Sequence, residues 1–504
     1  MKYIIGIDQS TQGTKAILVN EKGMLLGRTD KKHRQIINEQ GWVSHDLEEI
    51  YTNTIEVVKN LLAQQKIVSE DVAAIGISNQ RETTAAWKPD GTPLAHAVVW
   101  QCARAKEIVE EMEQKPFPAS ADKERRDGND SESKSVAEEI EERTGLPLSP
   151  YFPAAKMAWL IQNEIPEEKY CLGTMDAYLL YRLTEGESFC TDMSNASRIQ
   201  LFNLHTLQWD EEICKLFGIP VEALPEVCDS NSAFGTTTLE GLFSRPVPIY
   251  SMMGDSHAAL FAQGCHEKGM VKTTYGTGSS IMMNIGSQFM KSSHGLATSL
   301  AWGMDGKVDY VLEGNINYTG AVISWLIDDM ELIQSPSQLE ALIEKANPKD
   351  TTVLVPAFSG LSAPHWDNDA KAVLYGMSRT TGKAEVVKAA VESIAYQITD
   401  VLKAMEEDSH IAIHQLRVDG GPTRNKYLMQ FQSDMAGVDV QVPQVEEFSA
   451  LGVAYMAGMK AGICEMEELF AEREVAVYYK AMPEEERHRR YCCWKEALGH
   501  SRSN

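Results

Sequence analysis

The sequence predicts an α/β fold of two related domains with a cleft between them, and three observations carry that expectation. Short apolar runs rich in β-formers alternate with stretches of helical spacing, which argues for layered sheets and helices. A strand, a turn of small polar residues and a second strand open the chain, and the same plan returns half a chain later. The length, 504 residues, exceeds what one hydrophobic core organises, at about 100–200 residues per domain.

Taken in order, Tyr3-Ile4-Ile5-Gly6-Ile7-Asp8 reads as a strand, residues 9–14 as a small polar turn, and Lys15-Ala16-Ile17-Leu18-Val19 as the returning strand. Asn20-Glu21-Lys22-Gly23 makes the next turn. Ile50, Ile55, Val58 and Leu61 recur at helical spacing and predict a helix over 46–64. Val72 to Ile77 is a buried strand that runs into Asn79-Gln80-Arg81-Glu82-Thr83-Thr84. From 116 to 139 the chain becomes charged, without apolar periodicity, and reads as a solvated surface insertion. Residues 249–257 place Asp255 after a strand and before the small-residue helix that Ala258-Ala259-Leu260 begins. The second hairpin runs from Met270 through Gly276-Thr277-Gly278 to Met283. A third turn of related chemistry is Asp419-Gly420-Gly421, ahead of a helix over 425–435. Arg-rich sequence after Glu484, with Tyr491 and Trp494, predicts a packed terminal helix. The boundary between the two domains is expected near 253/254.

Composition narrows the function classes. Lys and Arg number 47 against 72 Asp and Glu, a formal charge of -25. Nucleic acid and anionic membrane surfaces are disfavoured as partners, because both demand clustered basic residues. A small anionic ligand needs only local positive potential and stays open. Nine cysteines without a C-x-x-C pair argue for reduced thiols rather than a zinc or disulfide framework. An Asp interrupts the opening apolar run, and no run reaches the ~18 residues of a membrane span, so a cytoplasmic protein is expected.

The turns carry the chemistry. A Ser/Thr/Gly turn after a strand gathers backbone N–H groups and hydroxyls into one concavity, which suits phosphate. The usual nucleotide motifs are absent: there is no G-x-x-x-x-G-K-[ST] and no G-x-G-x-x-G after a strand. Two hairpins facing each other could instead grip a polyphosphate from both sides. Asp8, at a strand end, could hold Mg²⁺ through water or could only cap its turn. Asp255 could cap its helix or act as a general base. Arg81-Glu82, at the end of a buried strand, could form a structural ion pair or bind a polar ligand in the cleft.

Nine ordered runs bear a wider likeness: residues 79–84, 99–102, 150–152, 254–255, 274–278, 356–361, 392–397, 418–421 and 428–434. Together they resemble the FGGY carbohydrate kinases, of the glycerol-phosphorylating kind, over nearly the whole chain from Tyr3 to about Trp494. The resemblance implies two ribonuclease-H-like domains of the actin/hexokinase superfamily: a polyol-binding side, 1–253, and a nucleotide-binding side, 254–504. It implies ATP-dependent phosphorylation of a terminal hydroxyl of glycerol, with ATP and Mg²⁺ as cofactors. Asp255 is then the general base and, with Asp8, a water-mediated Mg²⁺ ligand. Arg81, Glu82, Trp100, Tyr151, Asp255 and Ser256 are expected to meet the polyol. Thr11, Gln12, Gly13, Lys15, Thr277, Gly320, Gly421 and Asn425 are expected to meet the nucleotide. A homo-oligomer, dimer or tetramer, is expected.

Four positions depart from what such kinases usually carry. Ser10 stands for a Gly, Ala103 for an Arg, Ser256 for a substrate-touching Gln, and Ser280 for an aromatic packed on the substrate carbons. The loss of that aromatic implies a wider, more polar pocket, so a larger polyol or ketose of erythritol, xylulose or ribulose type is the alternative substrate. An actin- or chaperone-like ATPase is the alternative of a different class, and it gives Arg81, Glu82 and Asp255 no task.

Overall fold

The computed structural model describes residues 2–117, 134–165, 169–470 and 474–503. Strand β1 (Tyr3–Gln9) is buried at every residue after Tyr3, which a strand covered on both faces requires. It turns into antiparallel β2 (Gly13–Asn20), which pairs with β3 (Leu25–Lys32). The predicted helix is α1 (Leu47–Gln65): the Asp46 side chain caps it at the Glu48 and Glu49 amides, and Lys66 ends it in the left-handed conformation. Strand β4 (Val72–Asn79) then lies parallel to β1.

Helices α2 (Val136–Thr144) and α3 (Pro153–Asn163) follow. Most of the expected 116–139 insertion lies outside the described residues. Its last residues correct the reading, because 136–139 are helix and not loop. Val136 and Ile140, one turn apart, are both fully buried, and a Ser135–Glu138 capping box starts the helix. Strands β5 (Gly235–Thr237) and β6 (Val247–Gly254) complete a six-stranded sheet of order β5-β6-β4-β1-β2-β3. Helix α4 (Asp255–Ala262) leaves the end of β6.

The plan then repeats. Strand β7 (Val271–Tyr275) turns into antiparallel β8 (Ser279–Gly286), followed by β9 (Ala297–Met304) and β10 (Lys307–Ile316). After the long helix α5 (Lys383–Ser409), β11 (Gln415–Asp419) pairs parallel with β7, as β4 pairs with β1. Helix α6 (Lys426–Ala436), β12 (Asp439–Pro443), α7 (Phe448–Lys460) and β13 (Val475–Tyr478) follow, and the sheet order is β9-β10-β8-β7-β11-β12-β13.

Helices α4 and α7 cross between the sheets, and one apolar cluster there joins Ile4 and Met253 of the first sheet to Phe261, Met282, Trp302 and Val453. The crossing is tight: a Cβ on Gly452 would stand 2.0 Å from the Ala258 carbonyl oxygen, so only glycine fits. The terminal helix α8 (Glu484–Ser501) packs as predicted, with Trp494 fully buried and stacked on Tyr396. The Asp400 carboxylate, in α5, accepts Trp494 Nε1 at 2.9 Å, Tyr491 Oη at 2.5 Å and His365 Nε2 at 3.0 Å. It thereby ties α8 to the 359–368 loop at the cleft. All nine cysteines are free thiols. Among the described residues no helix is long and apolar enough to cross a membrane.

Candidate active site

A cavity of about 1010 Å³ lies between the two sheets. The β1–β2 turn and the β7–β8 turn both line it, so the two hairpins meet at one cavity. Each turn is locked by its own hydrogen bonds. Ser10 N–H and Ser10 Oγ both donate to the Gly13 carbonyl at 2.9 Å, and Trp100 Nε1 donates to Thr11 Oγ1 at 2.9 Å. Across the cleft, Gly276 N–H donates to Gly278 O at 2.8 Å, and the amides of Thr319, Gly320 and Ala321 bond the carbonyls of Gly276 and Thr277.

That arrangement separates the expected nucleotide residues. Thr11, Gln12, Gly13, Lys15 and Thr277 line the cavity, while Gly320, Gly421 and Asn425 lie outside its lining. Gly320 supports the turn from behind: a Cβ there would stand 2.8 Å from the Gly276 oxygen. Asn425 caps α6, its Oδ1 accepting from the Leu428 amide at 2.9 Å.

On the opposite side Trp100 and Tyr151 line the cavity edge to face, with ring centroids 5.7 Å apart. Burial, then the nearby Glu82 charge, raises the Tyr151 phenol far above its ordinary value, so it is a neutral hydrogen-bonding group. The fully buried Lys156 donates to the Tyr151 carbonyl. Burial draws that ammonium down to about 7.

Arg81 and Glu82 lie just behind the wall, 4% and 3% exposed, inside a network that local sequence does not reveal. Arg81 donates twice to Glu313, at 2.9 and 2.8 Å, and its Nε lies 3.3 Å from Asp255 Oδ1. Arg198 pairs with Glu82 at 2.8 Å and reaches Glu313 at 3.0 Å. Arg198 and Glu313 face the cavity and Arg81 and Glu82 do not, so the wall is built by residues the sequence reading missed. The available signal was a Glu inside the apolar run Tyr310-Val311-Leu312-Glu313. Burial disfavours ionised Glu313, but Arg198 and Arg81 outweigh it and hold it well below the carboxylate range. Burial opposes the Arg81 charge in turn, and Glu313, Glu82 and Asp255 keep it protonated. Arg81 Nε and Arg198 Nη1, both buried, have charge partners within reach but no acceptor in line.

Asp255 begins α4, and Gly254 rather than Asp255 is the cap residue. The Ser194 hydroxyl accepts the Gly254 amide at 3.0 Å, and Asp255 Oδ1 accepts the Ser256 amide at 2.6 Å. Asp255 lines the cavity with its side chain 35% exposed; Ser256 stays out of the lining. Burial raises the Asp255 carboxyl, Glu82 adds to the rise, and Arg81 opposes it. Asp8 is 5% exposed and accepts Ser78 Oγ at 3.1 Å, and burial lifts it to about 6. Ser280 lines the wall, its Oγ 3.3 Å from Glu313 Oε1.

Residues 3–262 match the FGGY family of carbohydrate kinases, N-terminal domain, and residues 271–461 match the C-terminal domain of that family. The chain is 42% identical over 510 residues to a protein named glycerol kinase 2 from Thermotoga maritima, covering 99% of each. Among solved structures it resembles Plasmodium falciparum glycerol kinase with ADP, at a TM-score of 0.89 and 33% identity, over 100% of this chain and 99% of that one. A ligand-bound xylulose kinase from Lactobacillus acidophilus shares the fold at a TM-score of 0.83 and 21% identity, over 99% of both chains.

Proposed function

The chain belongs to the FGGY family of carbohydrate kinases, and on that premise we propose that it phosphorylates a terminal hydroxyl of glycerol with ATP, giving glycerol 3-phosphate and ADP. One observation carries the reading at this site: a half-exposed carboxylate, Asp255, stands in a cavity bounded by two phosphate-type turns and a buried Arg/Glu network.

In this reading the polyol lies against Trp100 and Tyr151, on the 1–253 side, and the nucleotide enters from the 254–504 side. Arg198 lines the cavity and its Nη1 has no acceptor in line, which suits a hydroxyl oxygen, while Arg81 acts from behind the wall through Glu313 and Asp255. Asp255 accepts the proton of the attacking hydroxyl. The freed oxygen forms a bond to the γ-phosphorus, and the bond to the bridging oxygen breaks to leave ADP. The turns, locked by their own hydrogen bonds, align the transferring group without rearrangement. The Asp8 and Asp255 carboxylates are hard oxygen donors, near enough for Asp255 to raise the Asp8 carboxyl. Among the described residues no group of three His, Cys, Asp or Glu could hold a metal ion. This donor set fits Mg²⁺ carried by phosphate oxygens and water, with Asp8 and Asp255 behind it. When bound, the metal would neutralise phosphate charge. The reading extends to a cytoplasmic homo-oligomer, dimer or tetramer, which light scattering checks.

Asp255→Asn removes the proton acceptor at constant volume. ADP release with glycerol should fall by about 10²–10⁴-fold while the ATP dissociation constant holds within about twofold. Near-full turnover would remove Asp255 from the base role. Ser280 in the wall favours a second reading, a longer polyol or ketose, because the side chain leaves room an aromatic would fill.

A further inference from the structure

Glu447 stands at the head of α7 with φ +70°, a left-handed conformation that residues with side chains adopt rarely. Its side chain is only 7% exposed, and its two oxygens are divided between two cations. Oε2 accepts from Lys15 Nζ at 3.0 Å, and Oε1 meets Arg28 Nη1 at 2.7 Å. Lys15 and Arg28 sit on neighbouring antiparallel strands, β2 and β3, and both line the cavity beside the Thr11–Gly13 turn. Burial pulls the Lys15 ammonium down, and Asp8 and Glu447 together more than offset it.

We propose that Glu447 is a positioning residue for phosphate: its shared carboxylate holds Lys15 and Arg28 side by side at the turn and stands in for an anion until one arrives. The inference rests on the phosphoryl-transfer reading above. Neighbouring cations repel unless anions lie between them: Asp30 Oδ1 meets Arg28 alone, at 3.3 Å, whereas Glu447 meets both cations from a backbone position fixed by the start of α7. Cations placed before the nucleotide binds need no reorganisation during transfer. The same carboxylate competes with any free anion for both cations. Removing its charge therefore has opposite effects on two measurable quantities: turnover weakens, and binding of a bare anion tightens. Loss of a merely structural contact would weaken both.

The test uses the full chain, with inorganic phosphate as the probe. In Glu447→Gln, kcat should fall about tenfold with the KM for glycerol within about twofold. Calorimetric binding of inorganic phosphate to the nucleotide-free protein should tighten several-fold. Glu447→Asp, shorter but still charged, should return phosphate affinity to the wild-type value, and it serves as the readout if the Gln variant folds poorly. Unchanged phosphate affinity in Glu447→Gln, or tighter phosphate binding in Glu447→Asp as well, would overturn the role. If wild-type protein turned over no polyol, the phosphoryl-transfer reading would fail, while the phosphate titration would still judge Glu447.

Discussion

Glu313→Gln tests whether the buried charge network carries the energy its geometry implies. The Glu313 side chain is wholly buried and takes two Arg81 contacts at 2.8 and 2.9 Å and one from Arg198 at 3.0 Å. Gln keeps the volume, so no cavity contributes, and what changes is one charge. Removing one partner of a buried ion pair costs about 3–5 kcal/mol. Here the lower end applies, because Arg198 keeps Glu82 at 2.8 Å and Arg81 keeps Asp255 at 3.3 Å. With a urea m-value of about 3 kcal/mol/M, a loss of about 3 kcal/mol lowers the unfolding midpoint by about 1 M. Arg81, released from Glu313, also leans on Asp255 and weakens it as a proton acceptor, so turnover should fall in the folded variant. Urea titration followed by tryptophan fluorescence reads the first effect, and ADP release reads the second. A midpoint within about 0.2 M of wild type would show that the Glu313 pairs add no net stability.

Ser280→Phe should raise the rate on glycerol relative to erythritol, because the ring fills the wall beside Glu313; unchanged relative rates would mean that Ser280 does not touch substrate. Asp8→Asn addresses the buried carboxyl, which burial raises from 3.8 to about 6. A raised acid stabilises the fold fully below pH 4 and loses that contribution as pH climbs through 6, about 3 kcal/mol in all. The melting temperature of Asp8→Asn should therefore gain on wild type between pH 4 and pH 8, and Mg²⁺ should narrow the gap. A gap that stays constant across that range would show that ionised Asp8 costs the fold nothing.

Much of the frame was legible from sequence because it is local. Both hairpins, α1 with its apolar spacing, and Asp255 at a strand–helix junction are signals within a few residues. The site wall was not local. Arg81 and Glu313 are 232 positions apart, and Glu447 and Lys15 are 432 apart, so no spacing links them. Helix α2 was hidden differently: its Glu-rich face masked a single buried stripe at Val136 and Ile140, and only the Ser135-x-x-Glu138 box betrayed it. Gly320 and Asn425, matched positions expected at the nucleotide, support a turn and cap a helix outside the cavity lining.

Proton and phosphorus chemistry can be followed together by incubating the chain with MgATP and glycerol and recording phosphorus NMR. One glycerol 3-phosphate should form for each ADP released, and Asp255→Asn should give neither at a comparable rate. ATP consumption without a phosphorylated polyol or ketose, across glycerol, erythritol, xylulose and ribulose, would contradict the assignment of this cleft to phosphoryl transfer onto a hydroxyl.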